Sequence, residues 1–179
     1  MSWYVLQCKT GQEQAIIRSC EQHLSGQALE SAFSFRCERL WKTDGAWKIV
    51  EKDMFPGYVF LQSGNPELLS KELDEYRKIL KVMEEEGYLI SVYGEEEQYL
   101  RDLCGESHFL KLSHGYKENG VDIITDGPLK GRENRILRID WHRRFAQIVI
   151  PVAKKKAVIW AGLELDSSVA GEKNAVLVS

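Results

Sequence analysis

Met54-Phe55-Pro56-Gly57-Tyr58-Val59-Phe60-Leu61-Gln62 is the stretch on which the fold of the first half turns. Its aromatic and β-branched residues read as a strand. Pro56 removes a ladder donor, and Gly57 permits a positive φ or a close backbone approach, so the strand bends there. The bend puts Phe55 and Tyr58 in position to display apolar surface, with Trp3-Tyr4 of an earlier strand as neighbours on the same sheet. These residues form a candidate hydrophobic docking face. The competing reading is that the aromatics fill the core, and composition alone favours it.

Working outward, residues 3–8 form an apolar strand that Gly11 breaks. Ala15, Ile16, Cys20 and Leu24 then recur at helical spacing through about His23, and Ser25-Gly26 supplies a stop. Residues 30–50 read as strands with a hairpin turn at Thr43-Asp44-Gly45-Ala46, between Leu40-Trp41 and Trp47. Asn65-Pro66-Glu67 has the form of an N-cap with proline at the first helical position, opening a helix over about 66–76. Short strands are expected near 79–83 and 88–92 around the acidic turn Glu84-Glu85-Glu86-Gly87, then a helix over 94–105 with Glu95, Glu96 and Glu97 in its first turn. This β-α-β-β-α-β rhythm with one extra helix predicts an antiparallel sheet covered by helices. Apolar periodicity lapses over residues 112–119, which reads as a linker. Strands follow at 121–125, 133–141, 145–152 and 156–160, with a fifth near 162–165, and turns at Asp126-Gly127-Pro128 and His142-Arg143-Arg144. Five short strands in so few residues predict a small β-barrel. The fold class is therefore α+β.

Charge divides along the same line. Residues 1–111 carry 13 Lys+Arg against 19 Asp+Glu, a net of −6, whereas residues 112–165 carry 10 against 6, a net of +4. A basic module on an acidic one points to two kinds of partner, with nucleic acid the natural one for the basic half. There Lys130, Arg132, Arg135, Arg138, His142, Arg143, Arg144, Lys154, Lys155 and Lys156 are interspersed with Ile136, Leu137, Ile139, Ile148 and Ile150. Period-two alternation sends the apolar residues inward and the cations outward. Trp141, Phe145 and Trp160 are available for base stacking, and RNA is the expected ligand. A merely solvated basic surface is the alternative.

Other classes fare worse. No window approaches a membrane span, and the N-terminus lacks the pattern of a signal peptide. Cys8, Cys20, Cys37 and Cys104 form no CxxC pair, which excludes a zinc ribbon, and they read as reduced thiols of a cytoplasmic protein. Cys20-x-x-His23 has no second half-site. His23, His108, His114 and His142 are scattered, and no phosphate-cradling glycine loop occurs. No catalytic residue, metal or cofactor is expected.

With both halves read, a resemblance emerges. Trp3-Tyr4-Val5-Leu6, followed by Gly11-Gln12-Glu13 into a helix, resembles the start of the N-terminal domain of the NusG family of transcription elongation factors. Phe55-Pro56-Gly57-Tyr58-Val59-Phe60 resembles that domain's central signature. Val121-Asp122-Ile123, Asp126-Gly127-Pro128-Leu129-Lys130-Gly131 and Ile136-Leu137-Arg138-Ile139 resemble a KOW domain. The resemblance implies a polymerase-binding domain at 1–111, a linker at 112–119, a KOW barrel at 120–167 and a tail at 168–179. It implies a monomer that binds the clamp helices of RNA polymerase through Trp3, Tyr4, Phe55, Pro56, Gly57, Tyr58 and Val82. Gly127-Pro128-Leu129-Lys130-Gly131 with Arg143-Arg144 and Ala146 further resembles the specialised bacterial LoaP branch. That implies processive antitermination, with the KOW domain recognising a nascent leader RNA hairpin. The RfaH branch fits less well: its C-terminal domain switches to helices, whereas the β-branched segments 121–125 and 146–150 here favour strands. A general pausing and coupling factor, whose KOW domain binds Rho or a ribosomal protein, is the alternative. An RNA-processing enzyme with a KOW-like accessory is a third reading, supported only by unassigned Cys, His and Glu residues.

Overall fold

Strict alternation in Trp3-Tyr4-Val5-Leu6 sends every second side chain to the same face, and all four are buried, so the first strand is covered on both sides. The structure, a computed structural model, describes residues 1–80, 89–152 and 155–166. In chain order its elements are β1 (Ser2–Gln7), α1 (Glu13–His23), β2 (Ser31–Phe33), β3 (Arg36–Thr43), β4 (Ala46–Asp53), β5 (Tyr58–Ser63), α2 (Pro66–Leu80), β6 (Ile90–Ser91), α3 (Gly94–Cys104), β7 (Phe109–Leu110), β8 (Ser113–Glu118), β9 (Val121–Asp126), β10 (Ile136–Asp140), β11 (Phe145–Val152) and β12 (Lys155–Leu165). Two compact units result, and they do not follow chain order. Met1–Phe35 and Phe55–Asp102 form the body of the first; Arg36–Met54, Leu103–Ile150 and β12 from Ala157 form the body of the second.

The first unit is an antiparallel sheet of order β2-β5-β1-β6. One face carries Tyr4, Leu6, Val59 and Leu61, packed with Ile16, Ile17 and Cys20 of α1 and Leu69 and Leu73 of α2. Asn65 caps α2 as its sequence indicates, its Oδ1 accepting from the Leu68 amide at 3.2 Å, with Pro66 at the first helical position. The stop after α1 is tied down by Glu72, whose carboxylate accepts from the amide and hydroxyl of Ser25 at 2.7 and 2.6 Å.

The opposite face holds an aromatic cluster. Trp3 meets Phe33, Phe35 and Phe60 edge-on at centroid distances of 5.2, 5.7 and 6.4 Å. Phe55 joins through Phe35 at 5.7 Å. The Arg101 guanidinium of α3 lies 4.3 Å from the Trp3 ring centroid. Burying one such aromatic contributes about 4–6 kcal/mol at roughly 25 cal/mol per Å².

The second unit holds two sheets. β4-β3-β7 includes a long hairpin whose turn has φ of 52° at Asp44 and 80° at Gly45, as the Asp-Gly signal requires. The other is a curled sheet of order β10-β11-β12-β8-β9, in which β12 runs parallel to β8. Its strand number matches the five expected, but by different strands. Residues 113–118, expected as linker, form β8, and its inward-facing positions are Ser113 and Gly115, which carry no apolar signal. The strands expected at 156–160 and 162–165 are one, β12. Residues 133–135, expected as strand, form a 3-10 turn before β10. β7 was not expected at all. The strand expected near 79–83 falls partly in α2, since 79 and 80 are helical; the rest of it, with the turn 84–87, lies outside the described residues.

Candidate functional site

The Phe55–Tyr58 segment is a β-turn. The Tyr58 amide donates to the Phe55 carbonyl at 3.1 Å, with Pro56 second and Gly57 third at φ +83°. Proline second and a left-handed glycine third define the type II geometry. A Cβ on Gly57 would stand 3.0 Å from the Cys8 carbonyl oxygen, so only glycine fits without a shift. The turn is pinned by a residue whose role is not legible in sequence. Glu13 is buried, and its carboxylate accepts from the Gly57 amide at 2.6 Å and the Gly11 amide at 2.8 Å.

This geometry alters the expected docking face. Trp3 and Tyr4 are successive strand residues and point to opposite faces, so no single surface contains both. Trp3 is 0% exposed, and Tyr4, Phe55 and Gly57 are buried. Pro56 is exposed and Tyr58 half-buried, which leaves these two as the accessible part of the motif. Val82 lies outside the described residues.

In the second unit the cations occupy distinct places. Lys130 is exposed on the loop after β9, which is anchored by buried Leu129, whose amide donates to Ser113 Oγ at 3.0 Å. Arg132 turns back to donate to the Pro128 carbonyl at 2.8 Å, and Arg135 ends the 3-10 turn. Arg138, His142, Arg143 and Arg144 gather on the hairpin of β10 and β11. Asp140 organises its turn by accepting from the Arg143 amide at 2.9 Å and from Arg138 at 3.1 Å. That amide bond, with the Arg138 bond adding to it, holds the Asp140 carboxyl below its usual value. Lys156 is exposed on β12; Lys154 and the Lys155 side chain lie outside the described residues.

The expected alternation holds along β11, where Ile148 and Ile150 are buried, and fails in β10. A register shift between Ile136 and Arg138 leaves Leu137 62% exposed. Of the aromatics expected to stack, Phe145 is buried and Trp141 is half-buried, donating to Asp122 Oδ1 at 2.7 Å. Trp160 is 39% exposed.

The hairpin of β3 and β4 adds a set of cations and indoles, among them the Trp41 and Trp47 that flank its turn. Trp41 is 56% exposed. Lys52 Nζ lies 5.8 Å from the Trp41 ring, Lys42 Nζ 5.9 Å from Trp47, and the Arg39 guanidinium 5.4 Å from Trp160. The Arg144 guanidinium packs 4.6 Å from the Trp47 ring. Gly162 lets β12 approach β3 closely: a Cβ there would stand 2.6 Å from the Glu38 carbonyl oxygen. Arg, Lys and Trp interleaved along one hairpin was the signal available in the sequence.

Among the described residues, no three His, Cys, Asp or Glu are grouped to hold a metal ion. The buried thiols are poor nucleophiles: desolvation pushes Cys20 and Cys37 up to about 11 and Cys104 up to about 12.

A helix-covered antiparallel sheet, and a curled five-stranded sheet set with cations and indoles, define an α+β protein of two units. The family model described as "Transcription termination factor nusG" matches residues 1–101. That is more than half of the chain, and the chain belongs to the NusG family of transcription factors. A solved structure described as "Domain interaction in Thermotoga maritima NusG" aligns over 90% of this chain and 93% of that chain, at 16% identity and a TM-score of 0.45. None of the curated proteins compared matches the chain.

Proposed function

We propose that the chain is a specialised elongation factor acting in processive antitermination. The first unit binds the clamp helices of RNA polymerase, and the basic second half binds nascent leader RNA, presented as a hairpin. The observation that carries this reading is the density of cations beside exposed indoles in the second unit of a NusG-family chain. Arg and Lys side chains hold phosphates, and an RNA hairpin is read largely by shape and backbone. The resemblance to the LoaP branch supports the specialised role. On the polymerase side, contact falls to Pro56 and Tyr58, with Val82 added by resemblance. Tyr58→Ala is expected to weaken capture of a clamp-helix fragment without lowering the melting temperature much, because Tyr58 is only half-buried.

The test of the RNA half uses the full chain and two competitors, a structured leader RNA and mixed unstructured RNA of equal length. Preference for the structured leader, weakened by Arg143→Ala, supports the specialised reading. Absence of any RNA binding, with Rho or a ribosomal protein captured instead, replaces it with the general coupling role.

A further inference from the structure

Among the described residues, two grooves of the second unit have linings opposite in character. The larger, about 630 Å³, includes Glu38, Asp126 and Glu164, with His114 3.4 Å from the Glu164 carboxylate. Carboxylates there repel a polyanion. The smaller, about 320 Å³, is lined by Arg39, Trp41, Lys42, Trp47, Arg143 and Trp160, with no carboxylate in its wall. Phe145 lies against Trp160 at a centroid distance of 4.4 Å and holds that indole in place from the core side. Each of the three indoles has a cation within 6 Å of its ring. The volume suits flat rings and not a double helix. Indoles flanked by guanidinium and ammonium groups supply the two interactions an unpaired polynucleotide needs, a stacking platform and a phosphate partner.

We propose that this groove binds an unpaired stretch of polynucleotide, with bases stacked on Trp41 and Trp160 and phosphates held by Arg39, Lys42 and Arg143. The inference rests on the reading of the second unit as an RNA-binding surface. It adds that the surface extends onto the hairpin of β3 and β4 and prefers single-stranded nucleotides beside the duplex. Single-stranded RNA and single-stranded DNA share the chemistry, so both are tested.

The experiment titrates the full chain into three labelled probes, read by anisotropy and tryptophan quenching. They are a hairpin RNA with an unpaired flank of about eight nucleotides, the same hairpin without its flank, and a single-stranded DNA of the flank sequence. The flanked hairpin is expected to bind more tightly than the blunt one. Trp41→Ala is expected to lower affinity for the flanked hairpin about ten-fold and to leave the blunt hairpin unchanged. Trp41→Phe restores most of the loss. Trp160→Phe keeps the core contact and should cost less than Trp41→Ala. Equal binding of flanked and blunt hairpins, unmoved by these variants, overturns the inference and leaves RNA binding standing. Tight binding of the DNA alone, sensitive to Trp41→Ala, supports the groove chemistry and names DNA as its source. No binding of any probe overturns both readings.

Discussion

Trp3 and Trp41 set the two units against each other. Trp3 is fully buried, ringed by three phenylalanines and covered by Arg101, and its indole N–H donates to Gln62 Oε1 at 3.2 Å. Trp41 is more than half exposed and has a lysine near its ring. Both indoles sit beside a cation on a β-strand. Burial separates them: the first is committed to the fold, and the second leaves its surface open to solvent.

The largest expected effect is at the buried end. Trp3→Ala should lower the unfolding free energy by about 3–5 kcal/mol, whereas Trp41→Ala should change it by no more than about 0.5 kcal/mol. Chemical denaturation of both variants measures the contrast, and equal losses would break it. Glu13→Ala should cost about 2–3 kcal/mol, because it leaves the amides of Gly11 and Gly57 without their charged acceptor. Hydrogen exchange faster at Gly57 than at the Leu61 amide would locate that loss at the turn. At the exposed end, Arg143→Ala should leave the melting temperature near wild type and make the log–log salt dependence of RNA binding shallower by about 1. The smallest effect at neutral pH concerns the thiols. Burial, helped by Glu13 at Cys8, raises the folded pKa to about 11 for Cys8, Cys20 and Cys37 and about 12 for Cys104, above the ordinary value of 9.0. Folded protein thus binds these protons more tightly than unfolded protein. The associated stability is full below about pH 9 and is lost as pH rises through 11 to 12. Slow alkylation of native protein at pH 8, against rapid alkylation in denaturant, checks the assignment.

The elements of the first unit were legible because their signals are local. Asn65-Pro66 and the apolar run of β1 each act within a few residues, as does Asp44-Gly45 in the second unit. The boundaries of the units were not, because the hairpin of β3 and β4 packs with strands more than 50 residues later. Strand β8 stayed hidden because Ser113 and Gly115 fill its inward positions. In the site, cations of the basic half could be named from charge alone. The burial of Phe145 and the recruitment of Trp41 depend on contacts between distant segments.

Glu38, which anchors that distant packing by accepting from the Leu112 amide at 2.8 Å, belongs to a hairpin that emerges from the ribosome long before its partners. Residue 54 is about 100 residues ahead of the end of β11, a delay of roughly 5–20 s at ordinary rates of synthesis. A hairpin forms in about 1–10 μs. Through that interval Cys37 and Leu40, both buried in the finished fold, lack the later strands of their unit. A nascent chain is therefore most vulnerable to aggregation or chaperone capture between these two points. A truncation at residue 111 would make that vulnerability permanent, which argues for dissecting this chain by point substitution and not by cutting it at the apparent charge boundary.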